Sequence, residues 1–227
     1  MDFRTDLKTY SFHGLNEFEQ KYAPDKLYYA GDISLLESGT RVSVVGSRKV
    51  SKAGIVRAKH VARMLVDHGI IVVSGLAEGV DTVAHRTAIR RDGKTIGVLG
   101  TPMDQAYPKS NAELQLQMMQ EYLVISQFDS GKPVTPRNFP IRNRTMALIS
   151  DATIIVEASE KSGTRHQGWE ALRLGRTLIL LENVAEDPQL SWPKKMIEYG
   201  AVVMNRDNAD RILENLPSFT SNEEIVF

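Results

Sequence analysis

The sequence predicts an α/β protein built on a doubly wound, mostly parallel sheet with helices on both faces. Two observations predict this class. Short apolar runs without period-two alternation recur along the chain, as expected for parallel strands that are covered on both faces. Between them lie segments whose apolar residues recur at helical spacing. The pattern places the core at residues 36–217, after a short helical lead-in at 1–35 and before a tail at 218–227.

Each predicted strand is a short apolar run, and the helices fill the gaps between strands. The strands are Val42–Val45, Ile70–Ser74, Thr95–Leu99, Leu123–Ser126, Thr153–Val156, Leu178–Leu181 and Val202–Met204. The first helix has apolar residues from Ile55 to Val66, with Ser51 as its N-cap and Gly69 at its end. The other helices are Asp81–Arg91, Asn111–Tyr122, Arg142–Ile149, His166–Leu174, Trp192–Tyr199 and Asn208–Leu216.

The composition excludes several classes of protein. The 227 residues include no cysteine, which rules out thiol catalysis and disulfides and fits a reducing compartment. No apolar run has the length of a membrane span or of a signal peptide, so a cytoplasmic protein is expected. Lys and Arg total 28, as do Asp and Glu, which excludes a wholly basic protein but not a local basic patch.

The turn after the first core strand is the strongest local signal. The β-branched run ends at Gly46-Ser47-Arg48, and a helical pattern follows almost at once. A strand, a tight glycine turn and a helix N-terminus together form an anion site, to which Arg48 adds a permanent cation. The turn is neither a dinucleotide fingerprint nor a Walker A loop.

Small residues follow other predicted strands as well. Gly75, Gly100 and the run Ser162-Gly163-Thr164 each come after a strand. Because ligands bind beyond the carboxyl ends of parallel strands, we expect these turns to lie with Gly46 at one sheet edge and to contact phosphates through the backbone. The alternative is that these glycines only end strands.

A long irregular stretch, Gln127–Pro140, leads into a basic segment. No acid occurs between Lys132 and Arg144, and the segment interleaves cations, amides and an aromatic residue, a mixture that suits single-stranded nucleic acid. Its candidate DNA-binding residues are Lys132, Arg137, Asn138, Phe139, Arg142, Asn143 and Arg144. The alternative is a solvated helix start with Phe139 in the core; Arg142 and Arg144 point to different sides of that helix.

Two sets of titratable residues are weaker candidates for a metal or catalytic site. Asp81 and His85 are four residues apart on a predicted helix, but no third metal ligand lies near them, so a helix-stabilising pair or a satisfied histidine is favoured. Glu157 and Glu170 flank the loop after the fifth strand and could act as acid or base, although no partner spacing distinguishes either.

Several motifs, in order, resemble one family. They are VGSR (45–48), SGLAEGVDTVAH (74–85), VLGTPMDQAYPKSN (98–111), NFPIRNR (138–144), SDATIIVEASEKSGT (150–164) and LGR (174–176), preceded by PDKLYYAGD (24–32). Over residues 24–212 the chain resembles the DprA/Smf family of DNA-processing proteins.

The resemblance implies an extended Rossmann-like fold that binds single-stranded DNA without sequence specificity, with no cofactor and no membrane. It further implies a homodimer that helps to load a RecA-type recombinase in recombination and natural transformation. DNA is expected at Arg48 and at 138–144. The helical N-terminal domain and the C-terminal winged-helix-like module that many members carry are not expected here, and Arg165–Glu170 departs from the family pattern.

A second function stays open. The same broad fold group includes sensors of nucleotide derivatives and phosphoribohydrolases that resemble the cytokinin-activating LOG proteins. The run SGTRHQGWE (162–170) is faintly similar to their glutamate-containing motif, but Gln167 stands where the glutamate belongs, and Glu170 lies nearly one helical turn further on. The sequence therefore favours a DNA-binding protein over an enzyme.

Overall fold

A single mixed sheet forms the centre of the molecule, which a computed structural model describes over residues 7–217. The described strands are β1 (Lys8–Tyr10), β2 (Leu27–Gly31), β3 (Arg41–Gly46), β4 (Ile71–Ser74), β5 (Thr95–Leu99), β6 (Leu123–Ser126), β7 (Ala152–Glu157), β8 (Thr177–Leu181) and β9 (Val202–Met204). The described α-helices are α1 (Glu17–Gln20), α2 (Ser34–Glu37), α3 (Lys52–Asp67), α4 (Val80–Arg90), α5 (Ala112–Glu121), α6 (Asn138–Leu148), α7 (Thr164–Arg173), α8 (Glu182–Ala185), α9 (Pro193–Glu198) and α10 (Ala209–Glu214).

The strand order is β1-β2-β6-β5-β4-β3-β7-β8-β9, and β3 to β9 are parallel. The chain winds outward from β3 to β6, then returns to the centre and places β7 on the other side of β3. Two neighbouring strands therefore send their following loops in opposite directions, and a crevice opens between β3 and β7. This confirms the predicted doubly wound, mostly parallel sheet.

Helices cover both faces of the sheet. On one face, the apolar sides of α3, α4 and α10 pack against β3, β4 and β7 through residues such as Val61, Ala84 and Leu213. On the other face, Met146 of α6 and Met196 of α9 pack against the sheet. Ser51 caps α3 as predicted, since its hydroxyl accepts a hydrogen bond from the Gly54 amide at 2.9 Å.

The predicted helical lead-in is wrong in its secondary structure. β1 and β2 pair antiparallel and extend the sheet at the β6 edge, so the described part of 1–35 belongs to the same sheet as the core. The run Leu27–Gly31 is too short to show an alternating pattern, and pairing with β6 decides its conformation. Residues 1–6 of the lead-in and the predicted tail at 218–227 lie outside the described residues.

The basic segment also differs from its prediction. Helix α6 begins at Asn138, four residues before the predicted start, so Asn138 and Phe139 lie in its first turn rather than in a loop. Proline ordinarily signals a break, but Pro140 falls in that first turn, where its missing N–H leaves no helical hydrogen bond unmade.

Candidate nucleic-acid interface

A cavity of about 460 Å³ lies beyond the carboxyl ends of β3 and β7, at the crevice where the winding direction reverses. We call it the switch-point cleft. The predicted site residues that line it are Gly46, Ser47, Arg48, Phe139, Arg142, Asn143, Ser162, Gly163 and Thr164. The turns after β3 and β7 thus share one site, as their positions in the sequence predicted.

The Gly46-Ser47-Arg48 turn needs glycine because three loops meet there. A Cβ on Gly46 would lie 2.9 Å from the Glu157 carbonyl oxygen and 2.5 Å from the Val80 side chain. The Ser47 amide donates to the same Glu157 carbonyl at 2.9 Å, and the Ser47 carbonyl accepts from the Val80 amide at 3.2 Å. These contacts fix the turn between β7 and the start of α4.

Arg48 is exposed at the mouth of the cleft, and it has no carboxylate partner in the part of the chain that the structure describes. Its guanidinium carbon lies 5.2 Å from the centre of the Phe139 ring, within cation–π range. This contact positions the guanidinium without using its N–H groups. Arg48 can therefore hydrogen-bond a phosphate without first breaking an ion pair.

Phe139 is half-buried and is part of the wall of the cleft. Its ring lies against Gly100, where an added Cβ would come within 2.7 Å of it, and 5.3 Å from the ring of Tyr107. Of the two rings, Tyr107 is the more open, with 51% of its surface exposed. Tyr107 is not among the predicted site residues, although its place in the motif VLGTPMDQAYPKSN is a signal that points to it.

Arg142 lies buried beneath the cleft rather than extended into solvent, and its predicted contact with DNA stays a prediction. It is 6% exposed, and its Nη1 donates to the carbonyl oxygens of Gly75 at 2.6 Å and Val98 at 3.0 Å. Its Nε donates to the Asn143 side-chain oxygen at 2.9 Å. Arg142 thus ties α6 to the ends of β4 and β5 and shapes the cleft from beneath.

Asp81 is the countercharge of Arg142. The Asp81 carboxylate is buried and accepts hydrogen bonds from the amides of Gly75 at 3.1 Å and Ala77 at 3.3 Å. Burial raises the pKa of Asp81, and the Arg142 charge opposes that rise. Burial likewise lowers the pKa of Arg142, which Asp81 opposes. Asp81 therefore has a structural role, but it acts through the loop after β4 rather than through the predicted pair with His85.

His85 is also structural. It is fully buried, and its Nδ1 lies 2.8 Å from the Thr95 hydroxyl. Burial lowers the pKa of His85 to about 3, so the ring is neutral at physiological pH. No group of three or more potential metal-ligating side chains occurs within residues 7–217.

Four predicted residues lie outside the cleft lining: Lys132, Arg137, Asn138 and Arg144. Arg144 turns away from the cleft, because its Nε lies 3.2 Å from Glu170 and its guanidinium lies over the Tyr22 ring at 4.9 Å. Lys132 and Arg137 are exposed on the segment that leads to α6, and Asn138 accepts a hydrogen bond from Thr135. Their contact with DNA stays a prediction.

The N-terminus of α7 closes the other side of the cleft. Thr164 is its first residue, and Gly163 caps the helix without a side-chain hydrogen bond. Two buried oxygens among the cleft-lining residues, Ser162 Oγ and Gln167 Oε1, have no partner within the described residues. A ten-residue helix that directs its positive end into a cavity suits a phosphate.

Neither glutamate that flanks this loop is free to act as an acid or base. Glu157 accepts hydrogen bonds from the backbone amide of Ser51, at 2.9 Å, and from its hydroxyl, at 2.5 Å. Glu170 pairs with Arg144 and, at 2.9 Å, with Arg173. Gln167 lines the cleft where a hydrolase would need a carboxylate.

The fold and the cleft define an extended Rossmann-like α/β protein with a crevice at its switch point. The model of the family "DNA recombination-mediator protein A" matches residues 7–217. The chain belongs to this family, which confirms the resemblance to DprA/Smf proteins.

Two curated relatives are similar over most of this chain. The DNA processing protein DprA of Bacillus subtilis is 31% identical over 194 residues, which cover 86% of this chain and 65% of the relative. The DprA of Streptococcus pneumoniae is 36% identical over 181 residues, which cover 79% of this chain and 63% of the relative. The chain thus spans less than two thirds of the length of these relatives.

Solved structures agree with the family assignment. The X-ray structure of the Streptococcus pneumoniae DprA superposes with a TM-score of 0.81 at 30% identity, covering 96% of this chain and 76% of that one. A structure of DNA processing protein A from Helicobacter pylori, described for its single-stranded DNA binding mode, superposes with a TM-score of 0.80 at 26% identity. The match covers 94% of this chain and 98% of that one. No helix within residues 7–217 is both long and apolar enough to cross a membrane.

Proposed function

We propose that this protein binds single-stranded DNA in its switch-point cleft and acts as a recombination mediator, without an enzymatic activity of its own. Membership of the family and the single-stranded DNA binding described for the Helicobacter pylori protein support the class of ligand. A cytoplasmic location is part of the proposal.

One observation carries the proposal: three kinds of group that single-stranded DNA requires meet at the cleft. Arg48 offers an unpaired cation and the α7 N-terminus offers backbone N–H groups, while Tyr107 offers an exposed ring beside Phe139 in a small cavity that adjoins the cleft. Cations and helix termini hold phosphates, whereas rings stack on bases of any sequence. Among the described helices, none is an evident recognition helix that would enter the major groove of a duplex. We therefore expect little sequence preference and weaker binding to duplex than to single-stranded DNA.

The phosphoribohydrolase alternative requires a carboxylate that activates water beside the ribose. Gln167 cannot accept a proton from water at neutral pH, and both oxygens of Glu170 engage arginines. We therefore expect no release of free base from AMP. Turnover that is lost in Glu170→Gln would overturn the DNA-binding assignment as the primary function.

Fluorescence anisotropy with a labelled oligothymidylate tests the proposal. Single-stranded DNA should bind more tightly than duplex or AMP. The log–log salt slope should be roughly −0.7 for each phosphate contacted. A duplex preference or a flat salt response would contradict it.

The partners form a further part of the proposal. An exposed apolar patch runs from Ile197 through Tyr199 to Val202, with the Tyr199 ring 5.5 Å from that of Trp169. This patch supports a homodimer, and Tyr199→Asp should convert a dimer to a monomer in light scattering. Loading of a RecA-type recombinase rests on family membership, and its test is faster recombinase filament growth on single-stranded DNA.

A further inference from the structure

A second groove continues from the switch-point cleft along helix α3. A cavity of about 400 Å³ shares Ser47, Lys49 and Ser159 with the cleft. That cavity shares Arg57 and Asn183 with a groove of about 730 Å³, which runs between α3 and the ends of β8, β9 and α10. The three cavities therefore lie next to one another in a row on the surface, and we call this row the channel. We call the 730 Å³ part the α3 groove.

The α3 wall of this channel is basic. Residues 48–66 contain six cations and no acid, although the whole chain is neutral. The cations are Arg48, Lys49, Lys52, Arg57, Lys59 and Arg63. Of these, Arg57 and Arg63 line the α3 groove, and Arg206 faces them from the loop after β9. None of these three arginines has a carboxylate partner in the part of the chain that the structure describes.

The wall opposite α3 carries both positive and negative side chains, so the two walls of the groove differ in charge. Glu182 and Asp210 line it, and the Asp210 carboxylate lies 3.6 Å from His68 Nε2. A polyanion would therefore lie along α3 rather than along α10. On α3, Val56 is 66% exposed beside Arg57, which puts an apolar contact next to a cation.

We infer that single-stranded DNA anchored in the switch-point cleft extends into the α3 groove, where Arg57, Arg63 and Arg206 contact its phosphates. The inference rests on the proposed function. From Val56 to Met64 the helix rises about 12 Å, at 1.5 Å per residue. At about 3.4 Å per stacked nucleotide, the groove holds three to four nucleotides beyond those in the cleft.

The test compares oligothymidylates of six and twelve nucleotides by anisotropy over a range of salt concentrations. In wild-type protein, the longer oligonucleotide should bind more tightly, with a log–log slope steeper by about 2, from three further phosphates at roughly 0.7 each. The variant Arg57→Ala/Arg63→Ala should reduce the slope for twelve nucleotides by about 1.4 and leave the six-nucleotide affinity unchanged. Arg206→Ala should give about half that reduction.

The control is Arg90→Ala/Lys94→Ala, which removes two exposed charges at the opposite edge of the sheet. All four positions are on the surface, so circular dichroism should show unchanged folding. If the α3 variant changes twelve-nucleotide binding no more than this control, the α3 groove is not part of the DNA path. If wild-type protein binds neither oligonucleotide, the proposed function itself fails.

Discussion

Removing Arg142 should destabilise the protein rather than only weaken its DNA binding. The residue lies at the meeting point of β4, β5 and α6, and its guanidinium donates to two backbone carbonyls and one side chain. Substitution by methionine keeps much of the side-chain volume but leaves the carbonyls of Gly75 and Val98 without this donor. It also leaves the buried Asp81 carboxylate without its cation.

The size of the effect follows from these losses. A buried polar group that loses its hydrogen-bond partner costs about 1–3 kcal/mol, so the two carbonyls together cost about 2–6 kcal/mol. For a chain of this length, each kcal/mol shifts the thermal midpoint by about 2–4 °C. Arg142→Met should therefore lower the thermal midpoint by roughly 4–24 °C.

A double-mutant cycle measures whether Asp81 is the reason. Asp81→Asn should cost less free energy of unfolding in the Arg142→Met background than in wild type, with a coupling above about 1 kcal/mol. The assay is urea denaturation followed by circular dichroism. An Arg142→Met protein with an unchanged midpoint but lost DNA affinity would refute the reasoning and support Arg142 as a direct DNA contact.

Three further predictions concern the cleft and the core. Arg48→Ala should weaken single-stranded DNA binding in anisotropy and leave the thermal midpoint within a degree or two, because the guanidinium is exposed and unpaired. Phe139→Ala should cost about 1–3 kcal/mol of binding if a base stacks there and roughly 1–2 kcal/mol of stability from its packing on Gly100; a loss of stability alone would make the ring purely structural. For His85, the unfolded chain binds a proton between pH 6.5 and about 3 while the folded chain does not, so stability falls as the pH drops. At pH 5 the loss is about 2 kcal/mol, and denaturation of His85→Gln should lack it.

The shared site could be predicted because its signals are local. A strand, a small-residue turn and a helix follow one another at Gly46 and again at Ser162, and the parallel-sheet rule brings such turns together. The ordered motifs then indicate the family. The predicted start of α6 lies four residues too late. Proline usually signals a break in a helix, but Pro140 fits into the first turn of α6.

The role of Arg142 could not be predicted because it depends on contacts that are remote in sequence. Its two carbonyl partners, on Gly75 and Val98, lie 67 and 44 residues away along the chain. A run of cations looks the same in sequence whether its members face solvent or the core. Arg144 illustrates the same limit, because its partner Glu170 lies on another helix.

Photo-crosslinking of a 4-thiothymidine oligonucleotide, followed by mass spectrometry, tests the central claim most directly. If single-stranded DNA occupies the switch-point cleft, crosslinked peptides should contain Tyr107, Phe139 or the segment 162–167 at the start of α7, and Arg48→Ala should reduce their yield. Crosslinks confined to surfaces away from the cleft, with a yield that Arg48→Ala leaves unchanged, would contradict it.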